Sequence, residues 1–326
     1  MSAATAIAHP NIALIKYWGK RDEALVLPVA GSLSMTLDAF PTTTTVTIDG
    51  ARAADALVLN GARVTGEPLA RVAGFLELVR ERAGDPRAAL VTTDNTAPTG
   101  AGLASSAAGF AALARAAATA YGLQLDARQL SRLARRGSGS AARSIVSGYA
   151  VWHAGDDAAS FAEPVDALEL RLVILLLDGR EKRVSSREAM RRAANHRRAF
   201  TDWIATSERH LDDMLDACRD RDFTRMGELT ESHATRMHAL IRETTPEAGY
   251  LSATSVAVCD AVKQLREQGL EGYATADAGP NVAVLVRPED AEAMATALSH
   301  FAPAQVVAPG PGAALVPSPV RSGVAA

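Results

Sequence analysis

The chain has 326 residues, 48% of them hydrophobic and 22% charged, with a formal net charge of −3. That length suits one large or two medium domains with a sizeable core, and the slight acidity argues against a general nucleic-acid binder. No apolar run reaches the roughly 18 residues a membrane span needs, and no basic segment leads into an apolar stretch at the start, so neither a membrane partner nor a signal peptide is expected.

Residues 11–18 read as a strand, alternating at first and then aromatic. A charged turn at 19–22 and a short apolar piece at 25–28 follow. The β-branched run Thr42–Ile48 is a strand. Ala56–Leu59 followed by Asn60-Gly61 predicts a hairpin. Leu69, Val72, Phe75, Leu76 and Val79 recur at helical spacing and predict a helix over 69–82. Residues 89–93 form a strand that leads into Pro98-Thr99-Gly100-Ala101-Gly102-Leu103-Ala104-Ser105-Ser106. An alanine-rich helix over 107–121 comes next, with Gly122 to end it. Two glycines, two adjacent hydroxyls and a helix start make a cradle for phosphate. The same residues also read as a serine-capped glycine-rich turn. The loop has neither the Gly-Lys-Ser/Thr of a Walker A motif nor the third glycine of the dinucleotide fingerprint.

Asp126 with Gln129 predicts a capping box for a helix over 127–136. The segment Gly137-Ser138-Gly139-Ser140-Ala141-Ala142-Arg143-Ser144 then sets small residues and hydroxyls before one arginine. Strands are expected at 149–153 and 170–177, the second buried. Helices are expected at 185–198, 203–219, 223–241 and 252–268, and the shift to helical organisation divides the chain into domains at 1–183 and 184–326. Strands at 272–275 and Val282–Val286 flank Asp277-Ala278-Gly279-Pro280-Asn281, a helix over 289–298 follows, and the last residues of the Gly-, Pro-, Ala- and Val-rich tail from Gly310 are expected to be loose. Cys218 and Cys259 have no metal or redox spacing and read as buried free thiols of a reducing, cytoplasmic setting. His233 and His238, five apart, lack zinc spacing and read as surface or interfacial residues. The arginine runs at 132–136 and 191–198 read as solvated helix faces.

Three segments concentrate polar chemistry at strand ends or helix starts: Lys16 to Lys20, Ser138 to Arg143, and Asp277 to Asn281. Arginine forks onto carboxylate or phosphate, and lysine supplies a point charge. Asp277, the sole carboxylate of a Gly-Pro turn, reads either as a base that orients or deprotonates a hydroxyl or as an Asx-turn acceptor.

Five stretches together (residues 9–22, 98–106, 136–144, 184–190 and 277–281) resemble the diphosphomevalonate decarboxylase family of the GHMP small-molecule kinase superfamily, in family order. The resemblance implies an α+β, GHMP-kinase-like fold: an N-terminal ribosomal-S5-domain-2-like α/β domain with a left-handed βαβ unit, a C-terminal ferredoxin-like α+β domain, and the site in the cleft between them. It implies ATP as co-substrate, Mg2+, a phosphorylated mevalonate as substrate and a homodimer. It assigns Asp277, Arg143 and Lys20 to catalysis. It lines the substrate with Tyr17, Trp18, Lys20, Ser138, Gly139, Ser140, Arg143, Ser186, Met190 and Asp277. Thr93, Pro98, Gly100, Gly102, Leu103, Ala104, Ser105 and Ser106 hold the nucleotide, with Ser106 at the metal. A monophosphate-using relative, a 3-kinase relative and a non-catalytic sensor of a phosphorylated metabolite are the alternatives.

Overall fold

The computed structural model describes residues 2–96, 105–177 and 183–316. The N-terminal part runs β1 (Ser2–Ala8), β2 (Asn11–Ile15), β3 (Lys20–Asp22), β4 (Leu27–Pro28), β5 (Ser32–Thr36), β6 (Thr42–Ile48), β7 (Ala56–Leu59) and β8 (Ala62–Val64). Next come α1 (Glu67–Ala83), β9 (Ala89–Asn95), α2 (Ser105–Ala120), α3 (Ala127–Gly137), a 3-10 turn (Gly139–Ile145), β10 (Tyr149–Trp152), β11 (Ala162–Val165) and β12 (Arg171–Leu175). The helical run is α4 (Ser186–Asn195), α5 (Arg197–Asp220), α6 (Phe223–Thr244) and α7 (Ala253–Glu267). The chain closes with β13 (Tyr273–Thr275), β14 (Val282–Val286), α8 (Ala291–Leu298), β15 (Ala304–Val307) and β16 (Ala314–Val316).

The first sheet has the order β16-β1-β6-β9-β7-β8. It is antiparallel except for the β7–β9 pair. Strand β6 buries every second residue, as its alternation dictates. Helices α1 and α2 pack on it through Phe75, Leu76, Val79 and Phe110 and a set of buried alanines. Alanine lets α2 lie close to the strands at little entropic cost. The Asn60-Gly61 turn has φ of 48° and 78°, as a two-residue hairpin requires. The Asp126–Gln129 capping box forms as expected.

The second sheet, β11-β10-β5-β2, and the third, β13-β14-β12-β15, are antiparallel throughout. Strand β12, ahead of residue 183, sits inside the third sheet. One apolar cluster joins these two sheets to α5 and α6: Leu14, Leu33 and Met35 meet Leu172, Ile174, Met214, Met226 and Leu285. This shared core sets the turn between β13 and β14 against the end of β2.

Several elements depart from the sequence pattern. The first expected strand stops at Ile15, where its register against β5 shifts between Ala13 and Ile15. The helix expected over 185–198 breaks at His196, which leaves helical geometry with ψ of 71°. Strand β1 is alanine-rich and carries little strand signal of its own, yet it pairs with β6 over its whole length. Strand β16, in the Gly- and Pro-rich tail, pairs with β1; the last residues of that tail, expected to be loose, fall at 317–326, outside the described residues. Arg135 is no solvated residue: it is fully buried and donates to the Ser160 carbonyl at 2.7 Å and to Asp157. His233 and His238 are likewise buried in the core and not at the surface. Cys218 is buried, Cys259 is half-buried, and both are free thiols.

Candidate functional site

Strand β2 ends in a bulge, and that irregularity places Lys16. Its side chain curls back, and Nζ donates to the Ala13 carbonyl at 2.7 Å and to Asp277 Oδ1 at 2.6 Å. Lys16 is 1% exposed and Asp277 29%, so the pair has a buried cation and a carboxylate that reaches an opening. Burial pushes the lysine pKa down; Asp277 opposes that and the neighbouring Arg143 charge adds to it. The turn holding Asp277 makes its own backbone bond, Gly279 N–H to the Asp277 carbonyl at 2.7 Å. Asn281 Oδ1 accepts from Leu177 N–H, and Ser255 donates to the Pro280 carbonyl. The Asp277 carboxylate is therefore turned to Lys16 rather than engaged as an Asx-turn acceptor.

Arg143 lies in the 3-10 turn after α3 and is fully buried. Its Nε donates to Ser34 Oγ at 2.9 Å and Nη1 to Ser32 Oγ at 2.5 Å. Asn11 Oδ1 accepts from Nη2 at 3.1 Å and, more weakly, from Nε at 3.3 Å. The Asn11 amide donates in turn to the Ser140 carbonyl and to Ser144 Oγ. None of these partners is acidic, and one N–H on each terminal nitrogen stands outside these bonds among the described residues. Burial lowers the arginine pKa to about 10, with Asp277 the carboxylate acting against it. Among the described residues, two buried cations thus face one carboxylate, a net positive charge suited to an anion.

Small hydroxyls stand on the neighbouring wall. Ser106, in the first turn of α2, is 3.2 Å from Ser138 Oγ, and Ser138 is 3.4 Å from Ser140 Oγ. They gather where the helix start leaves its N–H groups free of helical partners. Pro98, Gly100, Gly102, Leu103 and Ala104 lie outside the described residues; Ser105 opens α2. Thr93 Oγ1 pairs with Thr44 Oγ1 at 2.9 Å across β9 and β6. Gly139 packs under the Tyr17 ring, where an added Cβ would come within 2.8 Å of it, so only glycine fits without displacement.

Tyr17 meets Trp152 edge to face at 4.8 Å, and its hydroxyl is buried with no partner among the described residues. Trp18 packs with Met190, Tyr250 and Ala278, and the Ser186 hydroxyl interacts with the Tyr250 phenol. Lys20 lies on β3 and pairs with Glu23 at 2.5 Å, so the lysine touching Asp277 is Lys16. Pattern reading missed Lys16, Asn11, Ser32 and Ser34 as site residues. Lys16 lies in the polar segment that ends at Lys20, but only the bulge separates its role from that of Lys20. Among the described residues no three His, Cys, Asp or Glu side chains are grouped to hold a metal. A hard cation carried by nucleotide phosphates needs few protein ligands, and the Ser106 hydroxyl fits that requirement.

Residues 8–162 match the diphosphomevalonate decarboxylase-like N-terminal domain, and residues 172–310 match the mevalonate 5-diphosphate decarboxylase C-terminal domain. Diphosphomevalonate decarboxylase of Schizosaccharomyces pombe is 38% identical over 88% of this chain and 79% of that protein. The fold superposes on mevalonate diphosphate decarboxylase from Staphylococcus aureus with a TM-score of 0.92 and 38% identity, over 97% of this chain and 98% of that one. It superposes equally, TM-score 0.92 at 43% identity over 97% and 99% of the two chains, on MDDEF in complex with MVAPP, AMPPCP and magnesium. With both halves matched and its relatives aligned along nearly the whole length, the chain belongs to the diphosphomevalonate decarboxylase family.

Proposed function

We propose that the chain decarboxylates 5-diphosphomevalonate at the expense of ATP, giving isopentenyl diphosphate, CO2, ADP and phosphate. The observation that carries this reading is one carboxylate, Asp277, facing two buried cations, of which Arg143 has no acidic hydrogen-bond partner among the described residues. A tertiary alcohol is a poor leaving group, and phosphorylation corrects that. The 3-hydroxyl oxygen bonds to the γ-phosphorus of ATP as the bond to ADP breaks, and its proton passes toward Asp277. Lys16 holds that carboxylate in place. The C3–O bond then breaks with its electrons on phosphate. The C1–C2 electrons form the alkene, and CO2 leaves. Arg143 orients the carboxylate through its two free N–H groups. Tyr17, Trp18, Ser186 and Met190 form the wall that keeps water from C3. Ser138, Gly139 and Ser140 take the diphosphate side, with Lys20. The start of α2, with Ser105, Ser106 and the loop from Pro98 through Gly100, Gly102, Leu103 and Ala104, takes the nucleotide, with Thr93 below it. Mg2+, when held at Ser106, supplies neutralisation of phosphate charge.

The same reading includes a homodimer and a cytoplasmic setting, the first supported by family resemblance and the second by two free thiols; light scattering tests the first, and tracking of the tagged chain in cells the second. It also divides the chain near residue 183, supported by the long helices that follow, with β12 the exception it has to carry; limited proteolysis tests it.

The deciding experiment offers ATP with mevalonate, its 5-phosphate or its 5-diphosphate and measures ADP and acid-released CO2. CO2 matching ADP with the diphosphate alone is expected. CO2 from the monophosphate alone, or ADP without CO2, moves the assignment to the corresponding relative; neither product from any substrate refutes an enzyme. The Asp277→Asn variant should lose turnover by about 10²–10⁴-fold while still binding nucleotide.

A further inference from the structure

The segment bearing Lys16, Tyr17 and Trp18 is gripped from behind by two C-terminal helices. The Lys16 backbone N–H leaves the β2 ladder and donates to His233 Nδ1 of α6 at 2.9 Å. His233 Nε2 lies 3.1 Å from Ser207 Oγ of α5, and that hydroxyl donates its proton to the Trp203 carbonyl at 2.8 Å. Nε2 must therefore carry the ring proton, which leaves Nδ1 free to accept. The Trp203 ring lies against His233 at 4.6 Å, and its indole N–H donates to the Trp18 carbonyl at 2.7 Å. Around the ring stand His210 and Arg236, besides Lys16 itself. Both ends of a three-residue stretch are thus tied to one buried cluster, 217 and 185 positions away in the chain.

We propose that His233, oriented by Ser207, is the positioning residue that sets Lys16 against Asp277. This rests on the functional reading above. Burial pushes the His233 pKa well below its ordinary value, so the ring stays neutral and the acceptor persists. A displacement of the Lys16 ammonium by a fraction of an ångström would then be felt at the reacting hydroxyl and hardly at all in substrate affinity.

The test compares His233→Leu, which removes the acceptor at similar volume, with His233→Asn, whose Oδ1 stands near the position of Nδ1. Leucine should lower kcat by roughly 10- to 100-fold with KM for the diphosphate nearly unchanged; asparagine should restore most of it. Equal losses in the two variants, or a loss confined to KM, overturn the proposal. Should the leucine variant fail to fold, Ser207→Ala serves: it frees the tautomer, so kcat should fall, and unchanged kcat overturns the proposal. Should the wild-type chain release no CO2 at all, the functional reading fails. The inference is then decided by a 15N–15N coupling across the hydrogen bond between the Lys16 amide and His233 Nδ1. Its presence upholds the contact and its absence refutes it.

Discussion

Arg143 is a cation held in the core by dipoles: two serine hydroxyls and one asparagine oxygen. An ammonium cannot reproduce that fork, so Arg143→Lys should raise KM for the diphosphate by more than about tenfold, as steady-state kinetics would register. The two lysines give a sharper comparison. Lys16 touches Asp277 from inside, whereas Lys20 pairs with the exposed Glu23 on a hairpin. Lys16→Met should cost kcat about 10²–10³-fold, the scale of losing one preorganised charge at a reacting centre. Lys20→Met should act mainly on KM. Equal kcat losses in both variants would refute this division of labour. Asp277 is partly exposed, so removing Lys16 does not strand a fully buried carboxylate, and the variant is expected to fold.

At the level of the element, helix propensity and packing can pull in opposite directions. Gly74 of α1 is exposed, and a Cβ added there would meet nothing within 4 Å, whereas a Cβ on Gly227 of α6 would sit 2.0 Å from the Tyr273 ring. Gly74→Ala should raise stability by about 1 kcal/mol, and Gly227→Ala should lower it despite the same propensity gain; thermal melts give both signs. Local chemistry read these elements well where one residue dictates geometry. Asn60-Gly61 announced the hairpin, and Asp126 with Gln129 announced the cap. It failed for β1 and β16, whose alanine-rich or short sequences become strands only because a partner is offered, β6 for β1 and β1 for β16.

For the whole molecule, the core that joins the second and third sheets is what assembles the site, since it brings Lys16 and Asp277, 261 positions apart, into a 2.6 Å contact. Buried histidines make this assembly sensitive to acid. Burial lowers the His238 pKa from 6.5 to about 4, and its Nε2 hydrogen-bonds to the Ala276 carbonyl next to Asp277. The unfolded chain takes up this proton near pH 6.5 and the folded chain only near pH 4, so stability is complete above about 6.5 and falls as pH drops toward 4. The loss for this group is about 3 kcal/mol once both values are passed, and His233 acts in the same direction. Unfolding temperatures measured from pH 7 to 4 should decline accordingly, with a shallower slope in His238→Gln. An equal slope in that variant would remove His238 from the account.

The sequence by itself determined the residue kinds, the hydroxyl-rich run before Arg143, the turn bearing Asp277, most helices and the family, because these follow from nearest-neighbour geometry and from motifs of contiguous residues. Tertiary structure alone decided which lysine meets the aspartate, which uncharged groups hold the arginine, and that His233 and Arg135 are interior. The reason is physical: a bulge of one residue turns Lys16 inward, and whether a polar side chain is buried depends on what packs on its face, which its neighbours in the sequence do not encode.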